Sequence, residues 1–432
     1  MPIKFKSKIA CVALLLFGCN FVNAQEGAYS SYSPYSVFGM GDICRQGTVY
    51  NLSMGGTGIA SRNHRFINYL NPAAITARDT LSFMMDFGLV GEGKLYKQGD
   101  VKSASNLLNI SNVAFTVPIY KKSAFVAGIS PYSSMGYDFS HDITDPSLIG
   151  SVGNINYRSY GEGGVYQIFA GGAATFWNKL SVGAQFLYYF GNIDKSTIMN
   201  FSESSYRDVY SGYILNLNAI GGNFGVQYEQ ALPSGLSLTV GATYKTSSKL
   251  KGYVTDYKYA TISSVTDTIN YKTDTLSHGS NVKLASEYGV GIALKKGDRW
   301  RAEFNYTRSD WRNSNLENVI GFANAGDAKF STTYSQSFRA GFEIVPNPND
   351  IRYYMRRCSY RAGAYYNRDY YKLDGKDVNS FGITLGITFP VFRWYNGVSI
   401  GVDLGQRGTN SGTMIRERYA KLVIGFNIHD IW

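Results

Sequence analysis

Phe381-Gly382-Ile383-Thr384-Leu385-Gly386-Ile387-Thr388-Phe389 alternates large apolar side chains with glycine and threonine without a break. Period-two alternation sends one set of side chains to each face of a strand. Leu236, Leu238, Val240, Ala242 and Tyr244 against Ser237, Thr239, Gly241, Thr243 and Lys245 repeat the pattern. So do Trp300, Ala302, Phe304 and Tyr306 against Arg301, Glu303, Asn305 and Thr307. A soluble sandwich alternates too, with its apolar face inward. Length and number separate the cases, because these segments are long and follow one another as a meander from about residue 80 to the chain end. The pattern predicts fourteen strands, at 80–96, 107–119, 123–139, 155–175, 180–201, 211–231, 235–257, 281–296, 298–311, 330–345, 359–371, 378–389, 396–408 and 419–428. An even number returns the chain to the side where it started. The expected fold class is all-β: a 14-stranded antiparallel transmembrane β-barrel over residues 80–432, with an N-terminal lumenal plug.

Composition agrees. The 432 residues include 47 Gly and 35 Tyr but only 10 Pro, and 17% are charged. A soluble domain carries roughly 25% charged residues. Past the first 24 residues no run of about 18 apolar residues occurs, which excludes helical spans. Lys and Arg are dispersed rather than clustered, so nucleic acid is not an expected partner.

Residues 1–24 have the form of an export signal. Lys4, Lys6 and Lys8 precede the apolar run Ile9 to Phe17, and Val22-Asn23-Ala24 is a small-x-small cleavage site before Gln25. The run is too short for a membrane anchor. Leu16-Phe17-Gly18-Cys19 offers lipidation at Cys19 as an alternative, though bulky Phe17 fits a lipobox poorly. Losing the signal removes three lysines and no acid, taking the net charge from +11 to +8. Cys44 and Cys358 then remain, free to pair or not. No CxxC or Cys/His spacing points to a metal, and no cofactor motif is present.

Connections after even strands are mostly tight, as at Tyr120-Lys121-Lys122, Trp177-Asn178-Lys179, Leu232-Pro233-Ser234 and Gly297-Asp298. Those after odd strands are often long: 140–154, 258–280 and 312–329. Short periplasmic turns and longer outer loops are the barrel asymmetry. The turn 346–358 is long for the periplasmic side. Leu422, Ile424, Phe426 and Ile428 form a final amphipathic strand, with His429-Asp430-Ile431 intervening before the terminal Trp432. Residues 25–79 lack alternation but hold Tyr29, Tyr32, Tyr35 and Phe38. Irregular backbone at membrane depth is tolerated only inside protein or a watery cavity. A plug in the lumen meets that condition, and a periplasmic tail is the alternative.

Met54-Gly55-Gly56-Thr57-Gly58-Ile59-Ala60, then Asn71-Pro72-Ala73-Ala74, ahead of a fourteen-stranded barrel, resemble the FadL-like long-chain fatty-acid outer-membrane transport family. Tyr32-Ser33-Pro34-Tyr35-Ser36-Val37-Phe38-Gly39-Met40-Gly41-Asp42 resembles the plug start of divergent members, and Asp310-Trp311 resembles a family pattern in the barrel. The resemblance implies a plugged barrel of the Gram-negative outer membrane that carries hydrophobic compounds. Gly55, Gly56, Asn71, Pro72 and Ala73 are the expected plug turns, though glycine turns and an Asn-Pro cap also explain them locally. Pro131 lies mid-strand and has no N–H to give the ladder, so it marks a bulge or kink. In the resembled family a kinked third strand opens the wall sideways. The candidate lateral gate is therefore Ile129, Pro131, Tyr132, Met135 and Gly136, with a harmless bulge as the alternative.

Glu287, Arg301, Glu303, Arg339, Glu343 and Arg361 fall on the polar face of four successive strands, as a lumenal charge ladder gripping the plug or as a solvated wall. Enzyme signals are weak. Gly397-Val398-Ser399-Ile400-Gly401 matches a nucleophile elbow but sits in an alternating strand rather than a strand-to-helix turn. His141-Asp142 has no preset base geometry. No catalytic residue is assigned. The expected function is passive uptake of hydrophobic small molecules. The alternative is a non-transporting structural barrel subunit of an outer-membrane assembly or secretion complex, with other outer-membrane proteins as partners. The Thr-, Ser- and Asp-rich loop 258–280 favours the alternative, since Leu148-Ile149 and Val319-Ile320-Gly321-Phe322 are the only apolar loop patches.

Overall fold

The computed structural model describes residues 32–431 except 79–81, 121, 148, 150–152, 204, 263–264, 277–280, 323, 326–327, 392–396 and 413. The export signal, Cys19, Tyr29, Leu148 and Trp432 lie outside the described residues. Fourteen antiparallel strands close into a barrel. They are β1 (Ser82–Gln98), β2 (Val101–Tyr120), β3 (Ser123–Ile143), β4 (Ile155–Phe176), β5 (Leu180–Phe201), β6 (Asp208–Leu232) and β7 (Leu236–Lys245). The second half comprises β8 (Glu287–Lys296), β9 (Trp300–Asp310), β10 (Tyr334–Ile344), β11 (Ser359–Leu373), β12 (Lys376–Pro390), β13 (Gly397–Arg407) and β14 (Arg416–Ile431). Each strand pairs with the next, and β14 returns to β1 from Ser82↔Ile431 to Lys97↔Arg416.

The alternation sorts apolar residues outward. Phe381, Ile383 and Leu385 are 54%, 55% and 56% exposed, while Thr384 between them is 1% exposed. Gln227, Thr239 and Ser399 are likewise buried on the lumenal side. A soluble sandwich would show the reverse, so the exposed row is the lipid-facing surface of an outer-membrane barrel. No helix among the described residues is long and apolar enough to cross a membrane.

Several boundaries differ from expectation: β2 begins at Val101 rather than 107, β8 at Glu287 rather than 281, and β10 at Tyr334 rather than 330. The strand expected at 235–257 ends at Lys245, because alternation lapses over Thr246-Ser247-Ser248 and Thr246 N–H turns back to the Gly222 carbonyl at 2.9 Å. Residues 251–262 then pair with the outer part of β6 and with 265–275, so most of the expected loop 258–280 is hairpin. Its Thr-, Val- and Tyr-rich run has strand propensity despite its polarity. The final strand also runs past 428 to Ile431, so the closing strand takes in His429, Asp430 and Ile431.

Residues 32–78 run inside this wall. The outer half of the lumen is an apolar core in which Tyr35, Phe38 and Met40 pack with Met135, Leu215, Trp311, Phe330 and Tyr371. The loop 312–322 folds into it. Val319 and Phe322 are buried rather than forming an exposed patch, Phe322 C=O accepts from Gly39 N–H at 3.1 Å, and the Lys195 ammonium donates to the carbonyls of Val37 and Gly321. The purified chain is expected to show heat-modifiable gel mobility and a β-dominated circular dichroism spectrum in detergent; a helix-rich spectrum, or solubility without detergent, would contradict this architecture.

Candidate functional site

The wall is interrupted at the seam between β2 and β3. β2 and β3 pair from Tyr120↔Ser123 to Val113↔Ile129, and there the ladder stops. From Val101 to Asn112, β2 is laddered to β1 alone. Pro131 sits just past the break, opposite Tyr166 of β4, with a bulge before Ser133. Burial loses its alternation from Ser133 to Tyr137, where five consecutive residues are buried, so β3 bends into the lumen.

The N-terminal segment replaces β2 as the neighbour of β3. Asp42 and Ile43 pair with Ser134 and Ser133. Cys44 N–H donates to the Tyr132 carbonyl at 2.9 Å, and Gln46 Nε2 donates to the Pro131 carbonyl at 2.7 Å. Ser33 N–H donates to the Gly136 carbonyl at 2.7 Å, and Tyr32 OH to the Asp138 carbonyl at 2.8 Å. A cavity of about 790 Å³ lies beside this contact. Leu108, Ile110, Val113, Ile129, Pro131 and Tyr132 line it at the seam, while Lys245, Glu287, Arg339, Asp403, Arg407 and Lys421 line it elsewhere. Met135 and Gly136 are not part of that lining: Met135 belongs to the apolar core, and Gly136 anchors Ser33 and Ser36. Trp311 lines the cavity, its ring 4.9 Å from that of Tyr370.

Below the cavity, residues 49–76 lie directly against the wall. Gly55 and Gly56 have φ of +72° and +81°, a region other residues rarely enter. Asn71 Oδ1 accepts from Ala73 N–H at 3.0 Å and caps the turn Pro72–Thr76, while its Nδ2 donates to the Ile59 carbonyl at 2.7 Å. Ala73 is fully buried. The wall answers with glycines. A Cβ on Gly183 or Gly225 would collide with Asn71 or Pro72, one on Gly241 with Ile59, and one on Gly341 or Gly363 with Met54 or Gly55. Sequence reasoning missed this girdle. Its signal was available, namely glycine recurring at lumen-facing positions of successive strands.

The six ladder residues divide. Glu343 accepts from Tyr50 OH at 3.1 Å and faces the Arg361 guanidinium at 3.6 Å. Arg361 donates to Ser53 Oγ at 2.8 Å and lies over the rings of Tyr50 and Phe66, which are stacked at 4.5 Å. Arg301 donates to Tyr50 OH, Ser61 Oγ and the Arg62 carbonyl. Glu303 accepts from Ala60 N–H, and Arg339 donates to the Gly56 carbonyl. Those five touch the N-terminal segment, whereas Glu287 pairs with Lys245 of the wall at 2.9 Å. Burial pushes the Tyr50 phenol up to about 12. Further ion pairs that no sequence pattern announced surround the cavity: Arg45–Asp403 at 3.0 Å, Arg407–Asp42 at 2.6 Å, Lys94–Glu417 at 3.0 Å and Lys421–Glu92 at 2.6 Å.

Ser399 lies in mid-strand with its Oγ 2.6 Å from Thr388 Oγ1, and His141 is exposed beside Tyr157. Cys44 and Cys358 are both free thiols. Among the described residues no group of three or more His, Cys, Asp or Glu could hold a metal.

The BamG family model matches residues 6–432. No curated protein sequence matches the chain. Among solved structures it is similar to the Ralstonia pickettii toluene transporter TbuX, with a TM-score of 0.56 and 14% identity over 89% of this chain and 98% of that one. The CymD monoaromatic hydrocarbon channel gives 0.56 and 14% over 91% and 99%. A Pseudomonas aeruginosa FadL homologue gives 0.55 and 11% over 90% and 99%. At such identities the likeness shows the fold, which is the FadL-type barrel. Replacing Glu343 by alanine strands the buried Arg361 charge and should cost about 3 kcal/mol, read as a lowered midpoint of heat modification; an unchanged midpoint would mean that Glu343 carries no such weight.

Proposed function

The chain belongs to the BamG family, and from that footing we propose that it is an outer-membrane barrel for passive uptake of hydrophobic small molecules of the long-chain fatty-acid kind. The observation that carries this reading is the interrupted β2–β3 seam, which meets the cavity at Leu108, Ile110, Ile129, Pro131 and Tyr132. Apolar cargo would enter or leave the cavity sideways through this gap. Burial there contributes roughly 25 cal/mol per Å² of apolar surface, and no chemical energy or cofactor is needed. Residues 25–79 act as the plug, with Gly55, Gly56, Asn71, Pro72 and Ala73 at its tight turns, and the ladder residues other than Glu287 hold it in place.

A second reading is favoured by a different observation. The lumen below the cavity is packed by the hydrogen-bonded segment 49–76, and the cavity itself carries many mutually paired charges rather than an apolar tunnel. That suits a barrel that has given up transport and serves as a structural subunit beside other outer-membrane proteins.

Alanine at position 131 restores a ladder donor, so β3 is expected to pair further along β2 and narrow the gap. Uptake of a long-chain apolar probe by cells carrying Pro131→Ala should fall. Unaltered uptake with an assembled barrel would sink the gap as the route, and absence of uptake by the unmutated chain would move the lead to the structural subunit. Deleting residues 25–79 should raise single-channel conductance in planar bilayers; unchanged conductance would mean that the segment is not what closes the pore.

A further inference from the structure

The turn between β10 and β11 stands apart from the other periplasmic connections. It spans residues 345–358, where most of the others take only a few residues. It is also built to hold one shape. Asn347 N–H donates to the Arg356 carbonyl at 2.8 Å, and the Asp350 carboxylate accepts from the N–H groups of Arg352 and Tyr353 at 2.9 and 2.8 Å. Arg356 adds an ion pair to Asp350 at 3.3 Å, and Tyr354–Arg356 form a 3-10 turn. This ordered frame holds apolar side chains outward. Ile351 is 94% exposed, and Tyr353, Tyr354 and Met355 are exposed as well.

The cations are placed with them. The turn holds three arginines and a single carboxylate, Asp350, which pairs with Arg356. The Arg352 and Arg356 guanidiniums lie 5.2 and 4.8 Å from the Tyr353 ring centre, and Arg357 lies 5.0 Å from that of Tyr354. Two bonds set the side on which the turn rests. Tyr360 stands in register with Ile344 and Ile387 on the outward row, and its OH donates to the Met355 carbonyl at 3.0 Å. Tyr354 OH donates to the Pro390 carbonyl at 2.8 Å. The turn is therefore folded over the lipid-facing rim rather than under the lumen. Aromatic bodies with cationic tips at that level match a headgroup layer, where rings sit at the interface and guanidiniums reach phosphate.

We propose that residues 345–358 form a docking foot for anionic phospholipid headgroups of the periplasmic leaflet. Ile351 and Met355 enter the acyl boundary, and Arg352 and Arg357 meet phosphate. Each basic residue at an anionic membrane surface is worth roughly a fivefold change in affinity. The test uses the full chain purified in detergent and titrated with phosphatidylglycerol or with phosphatidylcholine, bound lipid being counted by native mass spectrometry. The parent should retain phosphatidylglycerol preferentially. The double variant Arg352→Gln with Arg357→Gln should lose on the order of tenfold or more of that affinity and leave phosphatidylcholine binding unchanged. The matching lysine double variant should keep most of it. Equal retention of the two lipids by the parent, or undiminished phosphatidylglycerol binding by a folded, heat-modifiable glutamine variant, would overturn the proposal. A photo-crosslinking residue at Ile351 in whole cells separates the remaining source: adducts to lipid support the foot, and a discrete protein adduct replaces it with a protein interface.

Discussion

The missing N–H of Pro131 is the constraint from which the rest of the lumen follows. A closed barrel has no edge strand on which a proline can rest. β3 therefore leaves β2 at Ile129 and turns inward, carrying its carbonyls from Pro131 to Asp138 away from any barrel partner on that side. Unsatisfied backbone at membrane depth costs several kcal/mol per group. The chain meets that cost with its own N-terminal segment, which supplies Gln46, Cys44, Asp42, Ser33 and Tyr32 along the same edge. Barrel wall and lumenal segment are thus one hydrogen-bonded structure, and neither reaches its observed form without the other.

The lower lumen solves a different problem, that of holding an irregular stretch with no ladder of its own. The wall there is stripped of side chains where the backbone must touch it, at Gly183, Gly225, Gly241, Gly341 and Gly363. Between those glycines it keeps polar groups in reach. Gly55 N–H finds Thr384 Oγ1, Arg62 finds Gln227 and Ser181, and Asn71 reaches the carbonyls of Val226 and Ala242. A buried polar group left unmade costs about 1–3 kcal/mol, so this many partners, drawn from most of the wall, define a single seating for the segment.

Much of this is legible in the sequence, and the reason is periodicity. Alternation survives wherever a strand has one lipid face and one lumenal face, so Phe381–Phe389 or Leu236–Lys245 declare themselves locally, and it lapses where β3 bends inward from Ser133 to Tyr137. Glycine, Asn-Pro and the mid-strand proline are equally local, since each acts through its own backbone. What stayed hidden depends on pairing across the fold. The polar composition of 265–275 concealed a strand because an outer hairpin beside β6 needs no apolar face. Asp42 and Ile43 gave no sign of pairing with β3, being only two residues of strand. Five of the six ladder charges reach the N-terminal segment, but Glu287 does not, and parity alone has no means of telling them apart: it reports the face, not the neighbour opposite.

The two functional readings make different demands on this lumen, and the distribution of bonds bears on both. Residues 49–76 are seated on glycine and held by side chains from strands around the barrel, so moving them would break many bonds at once. Residues 42–46 are held by a short strand contact, three further bonds to β3, one from Gln167 of β4, and the ion pairs of Asp42 and Arg45. They also border both the seam and the cavity. A lateral exchange with the membrane therefore requires only this short stretch to shift, while a path through to the periplasm requires the whole lower segment to leave its seat. On the transport reading such a barrel would admit an apolar molecule at its side without opening a pore, and on the other the same lower lumen would serve as the fixed body of a structural subunit. The seam separates the two readings because only transport needs the bonds beside Pro131 to be the weakest in the lumen.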